Sequence, residues 1–401
     1  MSRRGLIRGL VLLAPVAGGG SFLLLRGQEE KPAEKAAPVP DWNRTLTNEL
    51  SSLPAMDHVV DSFMQFWGLR GVSMAVTRHD SLLYARGYGQ ADAGTPMTPG
   101  TTMRLASVSK LLTAVGVMRL QEQGKLFLDT PVFGPYGILN EYDSYIKDPH
   151  YYEMTVEHLL RHQGGFTTRG GDIMFSPHPD TPELLRTQLS RRLHFAPGTW
   201  QEYSNFGYLL LSLAIEKASG MSYEAFMQQE VFGPCGCRDF RIAGNTLAQR
   251  HPGESRYFMH PEADSETCYG INDITALSGA GAWVGSAVEM ARVVAAIDGF
   301  GVVPDILSPF SVRQMTTWYD NDTFSLGWVD TKPDGEWTRT GSFSGTSALV
   351  KVFPDGECWV FISNTSAWRG SKFTRNTNYL VKNLRRRFGT QLPERDLFQA
   401  P

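Results

Sequence analysis

The sequence predicts an α/β chain of the α+β kind. One antiparallel sheet, built from both ends of the chain and flanked by helices, stands beside a mainly helical second lobe. Three observations lead there. Residues 71–89, GVSMAVTRHDSLLYARGYG, alternate in polarity and break at His79-Asp80, which is a β-hairpin pattern. Near the C-terminus FSLGWVD (324–330), EWTRTGS (336–342), TSALVKVF (346–353) and CWVFISN (358–364) are short and β-rich, with turn residues such as Pro354-Asp355-Gly356 between them. Between these two regions, residues 130–300 mix helical patterns with Gly/Pro-rich loops. A site in such a fold is expected at the boundary between lobes.

The N-terminal elements speak to location. Arg3, Arg4 and Arg8 precede an uncharged run from Gly9 to Leu25, which Arg26 ends. Such a run sits at the short edge of what spans a bilayer. A small-residue site at Val16-Ala17-Gly18 would suit a cleaved signal peptide, but Phe22 to Leu25 continue the apolar run beyond it. Residues 1–26 are therefore expected to be a membrane anchor in preference to a signal segment. No Cys follows to carry a lipid. Basic residues ahead of the run place the body on the periplasmic or extracellular face. Residues 27–41, GQEEKPAEKAAPVPD, lack any apolar period and read as a disordered tether. The folded domain is expected over 42–390.

Within that domain, residues 55–68 have apolar positions Val59, Val60, Phe63 and Phe66, an amphipathic helix pattern. A second helix, from about Ala106 to Gln123, is apolar nearly all round, which marks it as buried; Gly124 closes it. A last helix is expected at about 375–387. No internal repeat is present.

Composition narrows the function classes. The chain has 401 residues, 38 basic against 41 acidic, and a net charge of −3. That balance gives no reason to expect a nucleic-acid partner. Cys235, Cys237, Cys268 and Cys358 lack the spacing of a zinc site. Either of the first two could pair with Cys268 in an oxidising compartment, and four buried thiols are the alternative.

The strongest chemical signal is Ser107-Val108-Ser109-Lys110. A Ser and a Lys three apart on a helix share a face. A desolvated, neutral lysine can take the serine proton and activate the hydroxyl. In the helix's first turn the Ser107 N–H has no intrahelical acceptor and can serve an oxyanion. Ser144-Tyr145-Ile146-Lys147 matches the same spacing but lies in a polar, aromatic loop, EYDSYIKDPHYY.

Two further units fit the same chemistry. Tyr203 and Asn205, in FAPGTWQEYSNFGY, offer a phenol that can shuttle a proton and an amide that can fix a substrate carbonyl. Tyr319-Asp320-Asn321 repeats the pattern without that context. Arg339-Thr340-Gly341 lies on an expected strand, where a small residue lets substrate backbone run alongside and the cation can hold a carboxylate. His158 and His162 have i, i+4 metal-ligand spacing, but the central Glu of the zinc-protease motif is missing and no third ligand is evident. G-x-S-x-G, P-loop and G-x-G-x-x-G patterns are absent, so neither a metal nor a nucleotide cofactor is expected.

In this order, SVSK, YSN and RTG resemble the serine β-lactamase and penicillin-binding protein superfamily, most nearly its class C β-lactamase branch with D-Ala-D-Ala carboxypeptidase and esterase relatives. TVEHLLRHQGGF, PGTWQEYSNFGYLLLSLAIEKASGMSYEAF, GAGAWVGSAVEMARVVAAI and the Gly327-Trp328 pair extend the likeness over about residues 55–385. The resemblance implies a β-lactamase/transpeptidase-like fold. It implies an acylated Ser107, with Lys110 and Tyr203 sharing general-base work and Asn205 orienting the acyl group. It places Arg339, Thr340 and Gly341 along a strand edge, and the N–H groups of Ser107 and Ser342 as the oxyanion hole. Substrates would be D-Ala-type peptides, β-lactams or small esters. One departure matters: Arg339 stands where the family usually has Lys or His, and a guanidinium binds anions but does not shuttle protons. The rival reading is a non-catalytic penicillin-binding-type module that holds cell-wall fragments.

Overall fold

A computed structural model of the chain describes residues 40–175, 180–260, 265–270, 272–318, 324–366 and 369–399. The expected membrane segment at 1–26, and the expected tether up to residue 39, lie outside them. Among the described residues no helix is long and apolar enough to cross a membrane.

The elements run α1 (Trp42–Thr45), α2 (Pro54–Trp67), β1 (Gly71–Arg78), β2 (Ser81–Asp92), β3 (Thr95–Pro96), β4 (Met103–Arg104), α3 (Ser109–Glu122), α4 (Val156–Leu160), α5 (Thr181–Leu189) and α6 (Asn205–Ser219). Then come α7 (Tyr223–Met227), β5 (Arg241–Ile242), α8 (Ile274–Leu277), β6 (Trp283–Gly285), α9 (Ala287–Ala295) and α10 (Pro309–Thr316). The chain closes with β7 (Asp330–Thr331), β8 (Trp337–Phe343), β9 (Thr346–Val352), β10 (Glu357–Ser363) and α11 (Ser371–Phe388).

Seven strands form one antiparallel sheet in the order β3-β2-β1-β10-β9-β8-β7. The β1–β10 pairing, from Val72 opposite Ser363 to Arg78 opposite Glu357, joins the two ends of the chain. His79 (φ 45) and Asp80 (φ 67) turn the β1–β2 hairpin in the left-handed conformation that two-residue loops favour. Helices cover both faces, which is why β9 and β10 are buried along their whole length instead of alternating. On one face Met56, Val60, Met64 and Trp67 of α2 pack with Met74, Phe361, Phe373 and Leu384. On the other, α9 lies over β1 and β10.

Two expectations need correction. Phe66 is not part of the buried stripe of α2; it is 69% exposed, and Trp67 takes the inner position one residue on. FSLGWVD is a strand only at its end, in β7. Gly327 there has φ +85, and a Cβ on it would come 2.7 Å from Ala114 Cβ, so the segment turns tightly against α3.

The second lobe forms around α3, which is buried without a break from Ser109 to Met118. All four cysteines are free and buried. The domain also runs past residue 390: Trp42 Nε1 donates to Phe398 O (3.1 Å), and Leu82 N donates to Asp396 Oδ1 (2.9 Å), so residues near both ends close on each other.

Candidate active site

Ser107 sits in a single 3-10 turn, Ala106–Val108, that leads directly into α3. Ala106 adopts φ +48, a conformation costly for any residue with a Cβ. The surroundings hold it there. Leu105 N donates to Trp283 O (2.8 Å) and Trp283 N donates to Ser109 Oγ (3.2 Å), bracketing the turn between two bonds to β6. Gly341 of β8 approaches from the other side. A Cβ at that position would lie 2.3 Å from Leu105 O and 3.0 Å from Ser107 N. Only glycine lets the strand come so close to the nucleophile's backbone.

Lys110, one turn further on, is fully buried. Its Nζ donates to Ala280 O (2.6 Å) and Asn205 Oδ1 (2.7 Å) and lies 3.3 Å from Ser107 Oγ. Burial, then the nearby Arg339 charge, push the amine well below the ordinary lysine range; Asp172 opposes this. A neutral amine has two N–H groups and one lone pair. The two short bonds take the N–H groups, which leaves the lone pair for Ser107.

Tyr203 arrives from the residues ahead of α6. Its Oη donates to Ser107 Oγ at 2.6 Å. Burial raises the phenol's pKa, while the Arg339 charge and the bond to Ser107 act against it. The ring packs against both His162 (centroids 4.5 Å apart) and Phe324 (5.8 Å), which also touch each other (4.7 Å). His162 Nδ1 accepts from Ser204 N (3.1 Å), and Ser204 in turn caps α6 through Gly207 N (3.0 Å). Burial, with the Arg339 charge adding to it, holds the imidazole well below the ordinary histidine range, hence neutral. Asn205 is the first residue of α6, and its Nδ2 donates to Asp172 Oδ2 (2.6 Å).

Arg339, Thr340, Gly341 and Ser342 follow one another along β8. Arg339 is 1% exposed; its Nε donates to Ser107 O (2.7 Å), while Nη1 and Nη2 make no hydrogen bond. β7 pairs with β8 only at Trp337 and Thr338. From Arg339 onward the outer edge of β8 has no strand neighbour among the described residues. Thr340 is half-buried and Ser342 exposed along that edge.

The weaker candidates separate from this group. Ser144 and Lys147 are both exposed, beside a short 3-10 helix. Tyr319-Asp320-Asn321 lies outside the described residues. His158 and His162 do not act as a pair: His158 Nδ1 accepts from Thr155 N (3.3 Å) in the capping box of α4, whereas His162 backs Tyr203. Among the described residues no group of three or more side chains could hold a metal. Sequence reading missed Asp172, His162 as a support for Tyr203, Phe324 and the Ala280 carbonyl.

Comparison with known proteins agrees with this picture. The beta-lactamase family profile matches residues 56–383. Esterase EstB of Burkholderia gladioli is 34% identical over 207 residues, covering 48% of this chain and 52% of the esterase. A penicillin-binding protein of Bacillus subtilis (strain 168) is 30% identical over 189 residues, covering 45% of this chain and 39% of that protein. The chain thus spans about half, or less, of the length of these relatives. Among solved structures, the D-amino acid amidase of Ochrobactrum anthropi SV3 complexed with L-phenylalanine amide has a TM-score of 0.67 at 19% identity, covering 84% of this chain and 98% of the amidase. That likeness is one of fold.

Proposed function

Because this chain belongs to the beta-lactamase family, whose members are serine hydrolases, we propose that it hydrolyses an ester or amide through an acyl-enzyme on Ser107. The observation that carries the reading is the Ser107 hydroxyl, held 2.6 Å from a phenol and 3.3 Å from a buried amine. Lys110 takes the hydroxyl proton as Oγ bonds to the substrate carbonyl carbon. The N–H groups of Ser107 and Ser342 receive the developing negative charge. Tyr203 returns a proton to the departing alcohol or amine, the acyl–leaving-group bond breaks, and water then releases the acid by the same route. The esterase and penicillin-binding relatives support a substrate in the range from small esters to D-Ala-type peptides and β-lactams. Arg3, Arg4 and Arg8 ahead of an uncharged run support an extracytoplasmic, membrane-attached enzyme; fractionation of the full chain tests that.

The activity test is a panel of p-nitrophenyl esters, nitrocefin and a D-Ala-D-Ala peptide, run on the wild type and Ser107→Ala. Turnover of one class that disappears with Ser107 supports the reading. Binding of cell-wall fragments with no turnover by folded protein supports the non-catalytic module instead.

A further inference from the structure

Helix α11 carries six basic side chains and no acidic one, on a chain whose net charge is −3. Two of the six are engaged within the fold. Lys382 pairs with Glu336 (3.1 Å), and Arg385 pairs with Glu357 (2.9 Å) and Asp355. The other four, Lys372, Arg375, Arg386 and Arg387, are exposed and form no salt bridge with a described residue. Helix electrostatics account for only two of these. Arg386 and Arg387 lie in the last turn, where the macrodipole favours a cation. Lys372 lies in the first turn and Arg375 just past it, at the end where a cation is disfavoured, and the first turn has no acid to offset them. Spacings of three, four and seven put Lys372, Arg375, Tyr379 and Arg386 on one face over about 21 Å of helix, opposite the buried Phe373, Thr377, Leu380 and Leu384. Tyr379, in the middle of this stripe, is 63% exposed. On neighbouring α2 Phe66 is 69% exposed; it meets Trp67 edge-on (centroids 5.4 Å apart), and Trp67 meets Phe373 (5.2 Å), so Phe66 stands beside the start of α11. Exposed aromatic rings among cations are the pattern of a protein surface at a membrane–water interface. The sheet separates this surface from the reacting groups. α2 and α11 pack on one face with Leu349 and Phe361, whereas Leu105, Val108 and α3 belong to the core on the other.

We infer that the outer face of α11, with Phe66 at its edge, docks on an anionic phospholipid surface. Each basic side chain near such a surface strengthens binding about fivefold. Tyr379 and Phe66 enter the headgroup layer, and the Ser107 site faces away from the bilayer. A second copy of this chain docked stripe to stripe would bring like charges together. The uncharged run from Gly9 to Leu25, proposed above as the membrane attachment, favours lipid over a soluble polyanion. Residues 26–39 span at most about 50 Å when extended, which keeps a body attached through that run within reach of the same surface.

The test labels the full chain with a fluorophore at Asn376→Cys on the stripe, or at Ser144→Cys on the helical lobe; the four native cysteines are buried. Each protein is mixed with vesicles of phosphatidylcholine alone, or of phosphatidylcholine with phosphatidylglycerol, all containing a nitroxide-labelled lipid as quencher. With phosphatidylglycerol, quenching at position 376 is expected to be at least about twofold deeper than at position 144. It is expected to fall to the level of position 144 at high salt, and in a Lys372→Glu/Arg375→Glu/Arg386→Glu variant whose melting temperature shows that it is folded. The salt comparison needs no charge variant, so the outcome stands even if that variant does not fold. Equal quenching at the two positions, quenching indifferent to phosphatidylglycerol, or quenching unchanged at high salt overturns the inference. So does a label at position 376 that responds to self-association of the chain, or to soluble polyphosphate, but not to the vesicles.

Discussion

The phenolic oxygen of Tyr203 lies 2.6 Å from the hydroxyl oxygen of Ser107, across 96 residues of chain. Two segments meet to make that contact. One is the head of α3, fixed by β6 and β8; the other is the start of α6, fixed by His162 and the Ser204 cap. Both oxygens sit on backbone tied down by hydrogen bonds, which is what a reaction between positioned groups requires.

Tyr203→Phe removes one oxygen and leaves the ring packed against His162 and Phe324. We expect kcat on an activated ester to fall by about 10²- to 10⁴-fold, the usual worth of a positioned proton-transfer group, with the melting temperature little changed. Steady-state kinetics alongside a thermal melt check this. A normal rate removes Tyr203 from the reaction.

Lys110 must be neutral to act as a base, so kcat/KM is expected to rise with pH along an acid limb. Lys110→Arg, which stays charged, is expected to lose most of the activity at every pH. Stability carries the same sign. The folded pKa is below the unfolded value of 10.5, so between the two the unfolded chain binds more protons and stability rises with pH. Urea denaturation of wild type and Lys110→Met at several pH values should show the wild type gaining on the variant as pH rises toward 10.5. Parallel curves would mean that Lys110 is charged in the folded state.

Arg339 keeps Nη1 and Nη2 free of hydrogen bonds inside a buried site, a costly state unless something anionic fills it. Arg339→Ala should therefore reduce kcat/KM on substrates with a leaving-group carboxylate at least about tenfold more than on neutral esters. Some loss on both is expected, because Nε also holds Ser107 O. Equal loss on both classes would limit Arg339 to that anchoring bond.

Gly341→Ala introduces a methyl group 2.3 Å from Leu105 O, a backbone atom that cannot rotate away. Overpacking of this kind costs about 1–3 kcal/mol, and here it displaces the Ser107 turn. We expect a lower melting temperature and a loss of acylation rate larger than the loss of stability alone explains. An alanine variant as stable and as active as the wild type would mean that β8 yields easily.

The parts of this site that were legible in the sequence are those with local geometry behind them. Ser107 and Lys110 share a helix face by spacing alone, and the apolar run after them set their helix apart from Ser144 and Lys147. The β1–β2 hairpin and β8 to β10 followed from alternation and turn residues. The rest depended on tertiary contacts that no period encodes. Asp172 lies in TTRGGD, a loop with no pattern, and matters only because α6 brings Asn205 to it. His162 was visible only as a partner in spacing for His158. α4 ends before it, and its φ of +58 turns the ring toward Tyr203 instead. Phe324 fell in a segment whose strand-like composition is overridden by the tight turn of Gly327 against α3.

The most direct test of the central claim is intact-mass analysis of the folded protein after incubation with a fluorophosphonate probe, followed by peptide mapping. The expected result is one adduct, on Ser107, absent from Ser107→Ala and slowed in Tyr203→Phe. An unmodified wild type, or an adduct mapped to any other residue, would contradict the account.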